Sequence, residues 1–206
     1  PESDKPRRSA YAAALALLRM TENRQLPALG PLAVTGATGG VGSLAVAIFR
    51  KAGFEVHAIS GKPEHAGYLR SLGASEVLGR EALATTRPME TARFGGGLDN
   101  VGGPMLASLL AQTEPCGNVA SAGLAASPEL VATVMPFIIR GVSLLGVASA
   151  GTARDLRDEV WRRLSADWKP ANLDAVCTRE TGLDGLPAVF STMLAGGSLG
   201  RTVVRL

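Results

Sequence analysis

The residues in this chain best suited to chemistry are glycines. Gly36-Ala-Thr-Gly-Gly-Val-Gly42 follows a short apolar run, Leu32-Ala-Val34. It leads into Ser43 to Ala52, where Leu44, Val46, Ala47, Ile48 and Phe49 predict a largely buried helix that Gly53 ends. A strand, a glycine-rich turn and a helix together make an anion site. With no side chains in the way, the backbone can come close to a pyrophosphate, and the helix start offers free N–H groups to it. Gly39, Gly40 and Gly42 occupy the turn, while Ala37 stands where the commonest dinucleotide fingerprint has its first glycine.

A second strand, Glu55-Val-His-Ala-Ile-Ser60, follows at the spacing that fingerprint needs. Its end is where the ribose of a dinucleotide is read. An acid there would accept hydrogen bonds from a ribose hydroxyl and repel a phosphate. Instead the chain reads Ser60-Gly61-Lys62, a hydroxyl, a flexible turn and a cation. This set suits a 2′-phosphate, so NADP(H) is expected over NAD(H), with Glu64 as the competing acidic residue.

Other chemistries find less support. Gly61-Lys62 leads into Pro63, so no Walker phosphate loop is present. Thr35-Gly-Ala-Thr-Gly-Gly-Val-Gly42 also satisfies the glycine pattern of short-chain reductases. That class needs a lysine four residues after a tyrosine, to lower the phenol's pKa for proton transfer. Tyr11 is followed at that distance by Leu15, and Tyr68 by Leu72. His57, His65, Cys116 and Cys177 have no metal-ligand spacing, so no metal is expected. The two cysteines could form one disulfide but read first as buried thiols of a reducing cytosol, which makes a cytoplasmic location the expectation.

The elements that position the glycine turn can be followed along the chain. Glu64 to Leu72 and Met105 to Gln112 read as helices, and Glu76-Val-Leu78, Gly97 to Val101, Asn118 to Ala122 and Val142 to Val147 as strands. Leu156, Val160, Trp161, Leu164 and Trp168 set an amphipathic helix over 156–168. Alternating strands and helices predict an α/β fold, a Rossmann-like doubly wound parallel sheet with flanking helices, plus a C-terminal helix and strand. The expected division is an N-terminal helical segment over 1–29, a dinucleotide-binding core over 30–150, and a C-terminal helix with a returning strand over 151–206. Tyr11 to Leu18 reads as an Ala/Leu-rich helix on the domain surface; the Arg7-Arg8 pair before it only superficially resembles an export signal. The net charge of +3, from 21 basic and 18 acidic residues dispersed along the chain, excludes a nucleic-acid footprint. No apolar run reaches the length of a membrane span. A small-molecule substrate is the expected partner.

Several segments then carry a resemblance. Val34 to Ser43, Ser60 to Lys62, Leu72-Gly-Ala-Ser75, Val134-Met-Pro-Phe-Ile-Ile-Arg-Gly141 and Gly200-Arg-Thr-Val203 resemble the zinc-independent medium-chain dehydrogenase/reductases. The branch they resemble is that of quinone oxidoreductases and acrylyl-CoA reductases. The resemblance implies that Thr38, Gly39, Gly40 and Val41 run along the pyrophosphate. It implies that Ser60, Gly61 and Lys62, with Arg80 as a second cation, surround the 2′-phosphate, Lys62 standing where the family commonly has arginine. Leu124, Ile138 and Ser149 would lie along the nicotinamide half, and Gly196-Gly197 replaces a more polar stretch. The implied reaction is hydride transfer from NADPH to the β-carbon of an activated alkene. In that family an N-terminal barrel-like catalytic domain comes first. The chain begins at Pro1 and has no room for that domain, so it is expected to be the cofactor half, with no catalytic residue assignable. The alternatives left open are a non-catalytic NADP(H)-binding module and a homodimer.

Overall fold

The computed structural model describes residues 7–205. Six strands form one parallel sheet: β1 (Leu32–Thr35), β2 (Val56–Ile59), β3 (Glu76–Leu78), β4 (Phe94–Asp99), β5 (Thr113–Ser121) and β6 (Ser143–Gly146). Their order in space is β3-β2-β1-β4-β5-β6, the doubly wound arrangement with its switch point between β1 and β4. Alternation along β1 explains why helices must cover both faces. Leu32 and Val34 enter one apolar cluster, and Ala33 between them enters the other, so neither face of the strand can meet water.

On the first face lie α1 (Arg7–Glu22), α2 (Gly40–Lys51) and α6 (Arg154–Ser165). α1 corrects the expectation of a surface helix. Ala10 to Leu18 and Met20 are all buried, with Ala13, Ala14, Ala16, Leu17 and Met20 at 0% exposure. Its alanines favour helix and leave little bulk between backbones, which lets α1 lie closely against α2. Tyr11 meets Trp161 of α6 with ring centroids 5.6 Å apart, and the Arg157 guanidinium lies over the Tyr11 ring. The Arg7 and Arg8 side chains and Pro1 lie outside what is described. On the other face α4 (Gly103–Ala111) buries Leu106, Leu109 and Leu110 against Phe94 and Val119.

Boundaries moved where local pattern met tertiary pairing. α2 begins at Gly40, before the expected Ser43; β4 starts at Phe94 and β5 at Thr113, both earlier than read. The 64–72 helix is a 3-10 turn, Pro63–His65, followed by α3 (Ala66–Ser71). The short helix α5 (Met135–Arg140) precedes β6. Past α6, the single expected strand is instead a two-stranded parallel sheet, β7 (Cys177–Thr181) with β8 (Arg201–Val204), joined through α7 (Leu186–Leu194). Leu206, read as part of that strand, lies outside the described residues. Cys116 is exposed and Cys177 partly so, both unpaired, which overturns the reading of two buried thiols. Among the described residues no helix is long and apolar enough to cross a membrane.

Candidate functional site

The carboxyl ends of the strands, where a doubly wound sheet offers its crevice, bring the glycine turn to the switch point. β1 leaves its last residue, Thr35, for Gly36, whose φ of +58° is left-handed and favours glycine. The Gly39 N–H closes a turn on the Gly36 carbonyl at 2.9 Å, and Gly39 then stands at the start of α2 with no side chain capping it. The first N–H groups of such a helix have no partner within it. Gly42 explains the close seating of helix on strand. A Cβ there would overlap the Gly36 carbonyl oxygen and lie 2.7 Å from the Ala37 Cα, both backbone atoms that cannot yield. At Gly39 the same atom would sit 3.2 Å from the Gly36 oxygen, tight but tolerable. The turn is therefore a glycine-lined cradle at the mouth of a helix.

A second network holds the facing loop after β4. Asp99 is fully buried, and its Oδ1 accepts from the Thr35 hydroxyl at 2.7 Å. Its Oδ2 accepts from the N–H groups of Gly102 at 2.7 Å and Val101 at 3.3 Å. Thr35 also takes the Asn100 N–H, while the Asn100 amide donates back to the Thr35 carbonyl. Burial pushes the Asp99 carboxyl above the usual carboxylate range, and the bonds from Thr35, Gly102 and Val101 pull it partway back. Sequence reading missed this carboxylate, although Gly97-Leu-Asp-Asn-Val101 carried it. Its partner Thr35 lies 64 residues away.

At the end of β2 the three residues read as a phosphate reader stand together. Ser60 is buried and its Oγ accepts the Lys62 N–H at 3.1 Å. Arg80, read from a separate segment, joins them: its guanidinium lies against Gly61, where a Cβ would be 2.7 Å from its Cζ. Burial lowers the Lys62 ammonium pKa, Glu64 raises it and Arg80 lowers it again. Two cations thus face one small region. Arg80 makes no side-chain hydrogen bond or ion pair among the described residues.

The tail adds a feature not foreseen. Gly200 donates its N–H to the Thr38 carbonyl at 2.8 Å, and the Arg201 side chain lies on Gly40, where a Cβ would be 3.0 Å from Nη1. The only forewarning was the Gly-Arg-Thr-Val ending itself. On the other flank Leu124 is 64% and Ile138 74% exposed, so neither is a core residue. Leu124, Gly102, Ser121, Ala122 and Val147 line a pocket of about 250 Å³. Ile138, on α5, and Ser149, after β6, stand outside its wall. No group of three His, Cys, Asp or Glu side chains able to hold a metal ion occurs among the described residues.

The family profile for zinc-binding dehydrogenases matches residues 40–166. The acrylyl-CoA reductase AcuI of Ruegeria pomeroyi is 41% identical over 198 residues, covering 95% of this chain and 60% of its own length. The crystal structure of Bacillus subtilis protein yhfP with NAD bound superposes with a TM-score of 0.91 at 42% identity, covering 96% of this chain and 61% of that one. That of Escherichia coli K-12 YHDH with bound NADPH gives 0.89 at 39% identity, with 96% and 61% covered. The chain thus spans about three-fifths of the length of these relatives.

Proposed function

The chain belongs to the zinc-binding dehydrogenase family, within the medium-chain reductases, and from that membership we propose that it binds NADP(H). Bound there, the cofactor supplies hydride to an activated alkene, such as an enone, a quinone or an acryloyl-CoA-like thioester. Residues 30–150 form the dinucleotide-binding core. The observation that carries the cofactor reading is the meeting of Ser60, Lys62 and Arg80 beside the glycine cradle.

The residues fit the group. Thr38, Gly39, Gly40 and Val41 would receive the pyrophosphate on backbone N–H groups at the mouth of α2, where no side chain caps the helix. Arg201, lying on Gly40, would add a cation to the same phosphates. Ser60, Gly61, Lys62 and Arg80 would hold the 2′-phosphate, whose charge relieves the repulsion between the two cations. Glu64 opposes the lowering of the Lys62 pKa by burial and Arg80, which is a different part from the ribose acceptor considered earlier. Leu124 would flank the nicotinamide half at the pocket after β5, with Ile138 and Ser149 beyond it. The chain's own residues bind and orient; the groups that polarise the substrate are not assigned among them.

Titration by nicotinamide fluorescence tests this reading. NADPH should bind at least about tenfold tighter than NADH, roughly 1.4 kcal/mol, a modest demand on a charge-assisted contact. Equal affinities would remove the 2′-phosphate assignment, and no binding of either would remove the cofactor reading.

A further inference from the structure

We infer that the tail segment Ser198–Gly200 positions Lys62, so that discrimination for the 2′-phosphate depends on a stretch of chain far from the dinucleotide core in sequence. The inference rests on the NADP(H) reading above. It starts from one contact: the Lys62 ammonium donates to the Ser198 carbonyl, 136 residues away. An ammonium has three N–H donors, so one bond to a carbonyl leaves two for a phosphate. It also holds a four-carbon stem that would otherwise sample many rotamers. Lys62 makes no other side-chain hydrogen bond among the described residues, and no ion pair with Glu64 within reach of a salt bridge.

The two residues that follow Ser198 are held from two sides. Toward the cradle, Gly200 gives its N–H to the Thr38 carbonyl at 2.8 Å. Toward the tail sheet, the Thr178 hydroxyl donates to the Leu199 carbonyl. Gly200 is buried with a φ of +52°, and a Cβ on it would overlap the Val176 carbonyl oxygen while lying 2.7 Å from Thr178 Cγ2 and 2.8 Å from Tyr68 Oη. Only glycine lets the chain pass there. The segment therefore ties the pyrophosphate turn, through Thr38, to the phosphate reader, through Lys62. By linkage, whatever the tail does for the 2′-phosphate, the 2′-phosphate must do for the tail.

Dissociation constants for NADPH and NADH, measured by nicotinamide fluorescence, test this in the unmodified chain, Lys62→Ala, Gly200→Ala and the double variant. Gly200→Ala should cut the NADPH-to-NADH preference by about threefold or more while moving NADH affinity less, and the double variant should lose no more preference than Lys62→Ala alone. A Gly200→Ala protein that weakens both cofactors equally, keeping the parent preference, overturns the inference and leaves the cofactor reading standing. An unmodified chain that binds both equally overturns the inference together with the 2′-phosphate assignment, and one that binds neither overturns the cofactor reading as well. Should Gly200→Ala fail to fold, hydrogen exchange at the Gly200 amide of the unmodified chain decides. Saturating adenosine 2′,5′-bisphosphate should slow that exchange at least about threefold more than saturating adenosine 5′-monophosphate. Equal protection overturns the inference.

Discussion

A glutamate at position 39 would place a side chain and a negative charge in the cradle where two phosphates are proposed to sit. Because the new Cβ lies 3.2 Å from the Gly36 oxygen, the turn need yield only slightly, so folding should survive. Gly39→Glu is expected to abolish NADPH and NADH binding alike, since the pyrophosphate is common to both. Lys62→Ala should weaken NADPH by about tenfold and leave NADH nearly unchanged, the 2′-phosphate being the only difference between them. Fluorescence titration, with circular dichroism as the check on folding, reads both. Asp99 sets a different expectation. Asparagine there would replace an acceptor oxygen with a donor amide facing the Thr35 hydroxyl or the Gly102 N–H, at a cost of about 1–3 kcal/mol. The sign of its pH dependence follows from burial. With its folded pKa raised, Asp99 contributes stability that is present below the ordinary carboxylate pKa and lost as pH rises through the folded value. Melting curves of Asp99→Asn should lack that decline, and a decline identical to the parent's would show that another group causes it.

Among the elements, α1 bears most directly on stability, because its buried face rests on α2, the helix that opens at the cradle. Leu17 is wholly buried in the shared cluster. Leu17→Ala should cost about 2–5 kcal/mol through lost transfer energy and the cavity left behind. For a chain of this size the melting temperature should fall by about 2–4 °C per kcal/mol. The NADPH-to-NADH preference should stay as in the parent, because Leu17 belongs to the apolar core under α1 and not to the Ser60–Lys62 turn. A changed preference would mean that α2 shifts with its support. The same element shows where periodicity misleads. Its Ala and Leu residues read as a helix correctly, but small alanines look like surface until a second helix packs against them.

For the whole molecule, the sheet order puts the glycine turn, the paired cations and the Leu124 pocket along one crevice edge. The proposed cofactor binding would thus need only this chain, whereas turnover also needs groups that polarise the substrate. The 206-residue chain is expected to bind NADPH yet to reduce an enone or acryloyl-CoA very little, as followed by loss of absorbance from the reduced nicotinamide. Appreciable turnover with either substrate would mean that catalytic groups lie among these residues. The exposed Phe190, Met193 and Leu194 of α7, like Leu124 and Ile138, leave apolar side chains facing outward on the molecule.

From the sequence by itself came the features that depend on near neighbours: the glycine turn between β1 and α2, the alternating helices and strands, and Ser60 with Lys62 at the end of β2. Each is set by residues within a few positions, through backbone freedom, side-chain periodicity or the reach of one loop. The tail was harder. β7 is mostly exposed and α7 buries only Val189, so neither offers the two-sided apolar run or strong stripe that marks an element. Tertiary structure alone decided that Arg80 lies on Gly61, that Asp99 takes the Thr35 hydroxyl, and that Ser198 holds Lys62. Those contacts join residues 19 to 136 positions apart, and a separation of that kind is closed by the order of strands in a sheet, which no local pattern encodes.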